Sequence, residues 1–499
     1  MLAGFYIRLS DHMDVAANRR IHAMSKSIVA NPLRGVTDLV PGYGSLYLEF
    51  DASVTSKVAI KAALGALSIN QDSTRGARQV DIPVQYDGED LKDVATRVNL
   101  SIEEVVQRHS AKPYHVYALG FTPGLPFMGE VEGRLRLPRR DNPRPHVPAH
   151  TVAIANAQTN IYPIGSPGGW NLLGRALIAV YDPHRNKPFY IEPGDKVRFL
   201  PSQGESPPEP EPLVLLPTEP RRPVLKVLAS GLQDLIVDKG RMMVGRYGLC
   251  RGGALDAHSA GIANALLRNP PGAPLIEMSF KGPTLEVLTE TVLAFTGWGV
   301  SPKLGGKPLT SFCSFTAKRG DVLTFEPSHE GSRGYLAVVG GFESGSFMGS
   351  ASVDVRGKIG QPLHGGETLG VAREHPVRPG FGFKAYRPDN SLRVRLLPGP
   401  QVSTDATLAL TSQVFTVDRA DRMGVQLVGA TVPGGEILSE GTPLGAIQVT
   451  PAGKPIILLH DRGSVGGYSK PALVHPSDLP KLAQLRPGES LRFKLLEEL

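Results

Sequence analysis

Residues 445–468, GAIQVTPAGKPIILLHDRGSVGGY, decide the fold because they repeat residues 152–170, VAIANAQTNIYPIGSPGGW, from the first half of the chain. Each copy leads through an apolar segment into a turn and strand, PGDKVRF at 193–199 and PGESLRF at 487–493. Glycine allows positive φ in such a turn, and the alternating apolar residues after it face one side of a strand. The repeated order predicts two related, β-rich halves built as barrels or sandwiches.

The rest of the chain is organised around these two copies. Residues 1–80 alternate two strands with two helices and predict a small α/β domain. Residues 81–200 and 224–499 contain short strands separated by Gly/Pro turns, which predict a first barrel and a tandem barrel region. Between them, the prolines of residues 201–223 fix φ and remove backbone donors, so we expect an extended, semi-rigid linker. The expected fold class is mainly β with an α/β N-terminal part.

Composition excludes several classes of protein. At 499 residues the chain exceeds the size at which one core usually stops growing. The net charge of +7 is spread without blocks of like charge, which argues against a nucleic-acid or membrane partner. The two cysteines, Cys250 and Cys313, cannot form a disulfide framework, and the first residues lack the apolar core of a signal peptide. We therefore expect a cytoplasmic protein.

The common self-sufficient catalytic motifs are missing from the sequence. It contains neither the phosphate-binding G-x-x-x-x-G-K-[ST] loop nor the G-x-S-x-G nucleophile elbow. The thirteen histidines are scattered, and Pro148 between His146 and His150 argues against a helical metal-binding pair. No metal site is predicted.

Two glycine-rich stretches combine groups that can bind an anion. In residues 119–175, Pro/Gly loops lie beside Arg140 and Arg144, although tight barrel turns and solvated arginines explain the same pattern equally well. In residues 238–269, a glycine-rich loop leads through Asp256 into a helix. Asp256 is either part of an anion site at the helix N-terminus or a simple N-cap.

A third stretch, residues 436–472, combines acid, amide and ammonium groups. Its four polar residues are expected to converge at one barrel mouth, where they suit an amide substrate: Glu440, Gln448, Asp461 and Lys470. The alternative is that they are charges on surface turns. Asp256, Glu440 and Lys470 are our catalytic candidates.

The motifs of the first half resemble the family called allophanate hydrolase subunit 1, which is also the B component of 5-oxoprolinase. The matching segments are LGFTPGLPFMG (119–129), PRRDNPRPHVPA (138–149), QTNIYP (158–163), SPGGWNLLGR (166–175) and PGDKVRF (193–199). Residues 224–496 are similar to allophanate hydrolase subunit 2, which is also the C component of 5-oxoprolinase. The matching segments there are GRMMVGRYG (240–248), GGALD (252–256), ANALLRN (263–269), EMSFKGP (277–283), YLAVVGG (335–341), DRMG (421–424), SEGTPLGAIQV (439–449), GGYSK (466–470) and RPGESLRF (486–493).

This resemblance implies cyclophilin-like barrels and a role in the ATP-dependent opening of 5-oxoproline, a cyclic amide, to glutamate. It implies ATP with Mg²⁺ as cofactor, a third 5-oxoprolinase subunit as partner, and the possibility of a homo-oligomer. Substrate- or ATP-binding groups are then expected at Arg140, Arg144, Gln158, Tyr162, Ser166, Gly168, Gly169, Arg241, Gly252, Gly253, Asn264, Gln448, Asp461 and Tyr468.

Departures from the family pattern leave two alternatives open. Residues 234–238, 349–353 and 463–470 have lost polar groups, His150 replaces a glycine, and the chain begins inside the family's usual first strand, so an edge is expected to be missing. This pattern preserves the fold better than the activity. One alternative is a urea- or allophanate-type substrate served by a biotin carboxylase partner, because the same pair of halves occurs fused in urea carboxylase. The other is a kinase-regulating binding protein that has lost catalysis.

Overall fold

The N-terminal unit is a small antiparallel sheet covered by two helices. The computed structural model describes residues 2–66, 77–384 and 391–496, so residues 67–76 of the predicted α/β domain lie outside the described part. The sheet has the order β1-β3-β2. Its elements are β1 (Leu2–Arg8), α1 (Val15–Ala30), β2 (Val36–Pro41), β3 (Ser45–Asp51) and α2 (Lys57–Ala66). Asp14 begins α1 as an N-cap because its carboxylate accepts the backbone N–H groups of Ala16 and Ala17.

The first barrel follows directly and closes seven strands in the order β11-β4-β12-β5-β6-β9-β8. Its strands are β4 (Gln79–Gln85), β5 (Tyr114–Leu119), β6 (Pro126–Gly129), β8 (Thr151–Ala155), β9 (Gln158–Ile161), β11 (Asn171–Ala176) and β12 (Lys196–Pro201). Two helices, α3 (Leu91–Arg97) and α4 (Ile102–Ser110), connect β4 to β5. A separate two-stranded antiparallel sheet is formed by β7 (Arg144–Val147) and β10 (Ser166–Gly168). A capping box formed by Ser101 and Glu104 begins α4.

The central unit consists of two sheets around one apolar core. The six-stranded sheet contains β13 (Pro223–Ala229), β16 (Thr284–Val287), β18 (Val300–Leu304), β19 (Lys307–Pro308), β21 (Val322–Pro327) and β23 (Thr368–Gly370). The five-stranded sheet contains β14 (Asp234–Val237), β15 (Leu275–Ser279), β17 (Thr291–Gly297), β20 (Cys313–Ala317) and β22 (Arg333–Val338). Helix α5 (Ala257–Leu266) packs on β17 and β22. The predicted tandem barrel region therefore divides into this two-sheet unit and a second barrel.

The second barrel repeats the first strand for strand. Its elements are β24 (Ser391–Pro398), α6 (Thr404–Thr411), β25 (Val414–Ala420), β26 (Gly424–Val428), β27 (Glu436–Gly441), β28 (Ala446–Val449), β29 (Pro455–Leu458), β30 (Val465–Val474), α7 (Leu479–Leu482) and β31 (Ser490–Leu495). The ring order is β30-β24-β31-β25-β26-β29-β28, closed by pairing of β24 with β30. In both barrels the last strand runs parallel to the first. The predicted duplication is confirmed.

The repeated turn-strand segment explains why both rings close in the same way. Gly194 and Gly488 have φ of +91° and +88°, the positive values that the turn requires. After the turn, Val197 and Phe199 point into the first core, and the corresponding pair, Leu491 and Phe493, points into the second. The charged residues between them remain on the outer face.

Candidate functional site

The first candidate site lies on the second barrel, where β27 pairs with β30. This pairing places the Glu440 carboxylate beside the Lys470 ammonium, with Oε1 and Nζ 3.1 Å apart. The amide of Gln401 donates to the same oxygen at 2.8 Å and accepts the backbone N–H of Lys470 at 3.0 Å. Both charged side chains are almost fully buried. Gln448 also lies close by. Gly466 is the cross-strand partner of Glu440, and a Cβ on Gly466 would be 2.5 Å from the Nε2 atom of Gln448.

A second cation reaches this cluster from the N-terminal unit. The guanidinium of Arg8, on β1, binds both carboxylate oxygens of Glu440. It also lies over the Tyr6 ring, 4.6 Å from the centroid, while the Tyr6 hydroxyl donates to the Gly441 carbonyl at 2.6 Å. The cluster is therefore assembled from both ends of the chain.

The electrostatics of this cluster favour binding of an anion. Burial alone raises the pKa of Glu440, but the charges of Lys470 and Arg8 and the hydrogen bonds from Arg8 and Gln401 hold it below its ordinary value. Burial lowers the pKa of Lys470, and the charge of Glu440 opposes that shift. One carboxylate thus faces two basic side chains, and this excess of positive charge suits a carboxylate or phosphoryl oxygen of a ligand.

Asp461 does not join this cluster. It belongs to a second buried network centred on Arg422, whose Nε and Nη2 donate to the two Asp461 oxygens at 2.7 and 3.0 Å. Arg422 also binds Glu277 and donates to the Gly253 carbonyl at 2.8 Å. Burial raises the pKa of Glu277, but the charges of Arg422 and Arg333 outweigh it and leave that pKa below its ordinary value. The network ties the central unit to the second barrel.

Beside this network lie a neutral thiol and an incompletely paired arginine. Cys250 Sγ is 3.2 Å from a carboxylate oxygen of Asp354, and burial together with that charge raises the pKa of the thiol well above its ordinary value. Arg241 is 1% exposed, and its Nη2 donates to the Ser352 carbonyl. Its Nε and Nη1 have no hydrogen-bond partner among the described residues. A Cβ on Gly252 would lie 3.1 Å from Nη1, so the glycine leaves that face of the guanidinium uncovered by a side chain.

A loop of the first barrel packs against the second copy of the repeat. A Cβ on Gly120 would lie 2.6 Å from the Cβ of Val465, so the backbone of the 119–129 motif packs directly on the Gly-Gly segment of the second barrel. Nearby, His460 is half-buried, and desolvation together with the charges of Arg422, Arg251 and Arg462 lowers its pKa well below the ordinary value. We call the two clusters together the polar seam; the first spans the two halves of the chain, and the second lies within the second half.

The predicted residues of the first barrel form a separate group. Arg140 and Arg144 both donate to one oxygen of Asp90 at 2.7 Å, and the other oxygen accepts the Leu172 N–H. Arg144 Nε also lies 3.3 Å from a carboxylate oxygen of Glu89, so two arginines face two carboxylates and their charges are largely neutralised. Gly168 packs closely against Tyr162: a Cβ added to Gly168 would lie 2.2 Å from the Tyr162 hydroxyl oxygen.

The remaining predicted residues occupy mixed environments. The Gly169 carbonyl accepts the backbone N–H of Arg140, Ser166 Oγ is buried without a partner among the described residues, and Gln158 lies on β9. Tyr468 offers its carbonyl to Lys470 Nζ at 3.2 Å.

Two further candidates have structural partners. Asp256 begins α5 as an N-cap, accepting the N–H and hydroxyl of Ser259 and the amide of Gln484. Asn264 donates to the Ala273 carbonyl and accepts from Asn269. Both side chains are buried within the packing of the central unit, so the N-cap interpretation of Asp256 accounts for its contacts.

Sequence reasoning missed four members of the seam: Arg8, Gln401, Arg422 and Glu277. Arg422 and Glu277 lie in the DRMG and EMSFKGP motifs, so the sequence marks both residues but does not indicate what they contact. Arg8 and Gln401 carry no local signal, since their role arises only when distant strands meet.

Two kinds of feature are absent from the described ranges. Among residues 2–66, 77–384 and 391–496, no group of three or more His, Cys, Asp or Glu side chains is arranged to hold a metal ion. In the same ranges, no helix combines the length and apolar character needed to cross a membrane.

Comparisons with known proteins match both halves. Residues 3–191 match the family model for carboxyltransferase domain subdomains C and D, and residues 247–495 match that for subdomains A and B. The B component of the 5-oxoprolinase of Bacillus subtilis is 36% identical over 39% of this chain and 87% of its own length. The C component of the Escherichia coli K12 enzyme is 31% identical over 54% of this chain and 90% of its own length.

Two further matches differ in how much of the other chain they cover. Urea amidolyase of Lachancea kluyveri is 28% identical over 54% of this chain but only 17% of its own length. The crystal structure of the protein TTHA0988 is 52% identical and superposes with a TM-score of 0.96, covering 99% of this chain and all of that one. The arrangement of both halves in one chain therefore has a solved counterpart of the same length.

Proposed function

The chain belongs to the carboxyltransferase domain family as a fusion of two halves that are similar to the B and C components of 5-oxoprolinase, and on that premise we propose that it is the fused B–C component of an ATP-dependent 5-oxoprolinase. In this role it activates 5-oxoproline for hydrolysis to glutamate together with a separate third subunit. Because the reaction consumes ATP, we place it in the cytoplasm.

One observation carries the proposal: the ion pair between Arg8 and Glu440 crosses from the B-like half to the C-like half. Arg8 lies within the region matched by subdomains C and D, whereas Glu440 and Lys470 lie within that matched by subdomains A and B. A site that needs both halves explains why one chain carries nearly the full length of both relatives.

The seam offers groups for both parts of such a reaction. An unstrained amide is a poor electrophile, and transfer of the γ-phosphoryl group of ATP to its oxygen, with release of ADP, converts that oxygen into a leaving group. We propose that Arg8 and Lys470 bind the carboxylate of 5-oxoproline. Gln401, whose amide donates to Glu440 Oε1, would then hold the Glu440 carboxylate beside Lys470. In the hydrolytic steps one water adds to the activated carbon and the carbon–nitrogen bond breaks, so that the nitrogen becomes the free amine and the carbon an acyl phosphate. A second water then adds to that carbon and phosphate leaves, which gives glutamate.

The ATP site is proposed beside Arg241. Its Nε and Nη1, which have no partner in the part of the chain that the structure describes, and the adjacent Gly252 fit a phosphoryl oxygen. Mg²⁺ would enter with the phosphates and supply additional positive charge there. Cys250 is not suited to act as a nucleophile, because its raised pKa keeps the thiol protonated near neutral pH. The arrangement thus supports phosphoryl activation rather than covalent catalysis by a protein nucleophile.

The test is ADP and glutamate formation from ATP and 5-oxoproline by the purified chain, with and without the third subunit. We expect glutamate formation only when both proteins are present. No ADP release and no glutamate formation in either mixture would refute the proposal.

The match to urea amidolyase favours one second candidate, a urea- or allophanate-type substrate. The same assay with urea, ATP, bicarbonate and a biotin carboxylase partner distinguishes the two. Carboxylated urea formed in that mixture, without turnover of 5-oxoproline, would support the second candidate.

A further inference from the structure

The linker is seated on the first half along much of its length. Residues 206–216, SPPEPEPLVLL, which we call the strap, begin with the Ser206 hydroxyl donating to the Ala176 carbonyl at 2.8 Å. Further along, His150 Nε2 lies 3.4 Å from the Pro208 carbonyl, and His184 Nε2 lies 3.0 Å from the Glu211 carbonyl. The strap is thus held through its backbone by histidines of the first half.

The same segment then pairs with the central unit. Leu213 forms a parallel bridge with Ile359, in which the Leu213 N–H donates to the Lys358 carbonyl at 2.8 Å and the Gly360 N–H donates to the Leu213 carbonyl at 2.7 Å. The Gly345 N–H donates to the Leu215 carbonyl at 2.7 Å, and the Leu215 side chain is buried. Such bonds add a short strand segment to a folded surface.

Glu209 connects the two surfaces. Its Oε1 accepts the backbone N–H of Gly165 at 3.2 Å and lies 3.0 Å from Lys358 Nζ. His146 borders the same spot, because a Cβ on Gly165 would lie 2.6 Å from its Cε1 and 3.1 Å from Glu209 Oε2. The carboxylate therefore sits between the signature loop of the first barrel and a lysine of the C-like half.

We infer that the two halves together form a groove that recognises an extended, proline-rich, acidic segment, and that the strap occupies this groove in cis to hold the halves in register. Charge complementarity supports this, since Lys358 Nζ lies 3.0 Å from the Glu209 carboxylate. The prolines at 207, 208, 210 and 212 restrict the unbound segment to extended conformations, so docking costs less conformational entropy.

His150 provides an independent indication. It has φ of +65°, in the left-handed region where a side chain other than that of glycine or asparagine is unfavourable by about 1–2 kcal/mol. In this conformation its imidazole reaches the Pro208 carbonyl. A strained residue that contacts the strap is consistent with a docked segment rather than a loose tether.

Hydrogen exchange of the native chain tests whether the strap is docked. We expect the amide protons of Leu213 and Gly360 to exchange far more slowly than in an unstructured peptide, as strand amides do. Exchange of Leu213 at the rate of an unstructured peptide would overturn the inference. The measurement involves no substrate, so its outcome does not depend on the proposed activity.

Binding in trans tests whether the groove recognises the segment. The strap is replaced in the full chain by a Gly/Ser segment of equal length, and a fluorescent peptide of residues 206–216 is added after circular dichroism shows that the variant is folded. Saturable binding to the variant, and none to the native chain, is expected. A peptide with Glu209→Gln should bind several-fold more weakly, because the Glu209 carboxylate makes the contacts with Lys358 and Gly165. A peptide with Glu211→Gln should bind normally, because Glu211 contacts His184 through its backbone carbonyl. Absence of binding to the folded variant would overturn the inference.

Discussion

Asp234 is expected to make the central unit less stable as the pH rises. It lies at the start of β14 and is 1% exposed. Its Oδ2 accepts the Gly231 N–H, but Oδ1 has no hydrogen-bond partner among the described residues. Burial raises the pKa of this carboxyl to about 7 from its ordinary 3.8, and the Gly231 hydrogen bond only partly opposes the shift.

The size of the effect follows from that shift. In the unfolded chain the carboxyl loses its proton near pH 4, whereas in the folded chain it keeps it up to about pH 7. The folded state therefore binds more protons between these values, and the free energy of unfolding falls as the pH rises through this window. A pKa shift of about 3 units, at about 1.4 kcal/mol per unit, sets an upper bound of ~4 kcal/mol on the destabilisation of the folded state above pH 8. At pH 5 this destabilisation is still below about 2 kcal/mol.

Asp234→Asn removes the charge and keeps an oxygen for the Gly231 N–H. We expect the variant to be more stable than the wild type by about 2–4 kcal/mol at pH 8, and by clearly less at pH 5. Urea unfolding followed by Trp298 fluorescence, in a Trp170→Phe background that leaves one tryptophan, reports on the central unit. Glu290→Gln, an exposed carboxylate of the same unit, is the control. An equal difference at both pH values, or a destabilised Asp234→Asn, would refute the reasoning.

Three shorter predictions concern packing and reactivity. Arg422→Met should destabilise the junction of the central unit and second barrel by roughly 3–5 kcal/mol, because it leaves the buried Glu277 and the half-buried Asp461 without their shared cation, and calorimetry measures the loss. Cys250 should resist iodoacetamide at pH 8 in the native chain and react after unfolding, as followed by mass spectrometry; rapid native labelling would contradict its burial. Gly168→Ala should lower the thermal midpoint, because the new Cβ would overlap the Tyr162 hydroxyl. Gly169→Ala is the control, since the nearest atom to a Cβ there is 3.6 Å away. Equal effects of the two substitutions would contradict this packing.

The fold could be predicted where its signal is local and repeated. The turn glycines and the alternating apolar residues after them indicate the same strand in each half, and both strands lie in the same position of a closed ring. The capping box at Ser101 likewise depends only on residues three positions apart. The division of residues 224–499 was harder to predict, because short strands and turns look alike whether a sheet closes or stays open.

The site was only partly predictable for a different reason. Glu440 and Lys470 lie on two paired strands of one barrel, so their convergence follows from local sequence. Asp461, in contrast, pairs with Arg422 and through it with Glu277 of another unit. Arg8 reaches Glu440 across 432 positions of sequence, and nothing in its own neighbourhood indicates that contact.

The central claim is that both halves of the chain build one site, and Arg8→Ala tests it most directly. Arg8 is 45% exposed, so its loss should cost only about 1 kcal/mol of stability or less. The matched control is Arg78→Ala, which removes a similarly exposed ion pair with Asp195 within the first half. In the 5-oxoproline assay with the third subunit, Arg8→Ala should lose at least about tenfold in kcat/KM, equivalent to about 1.4 kcal/mol, while Arg78→Ala stays near wild type. Wild-type kcat/KM in Arg8→Ala would contradict a site shared between the halves.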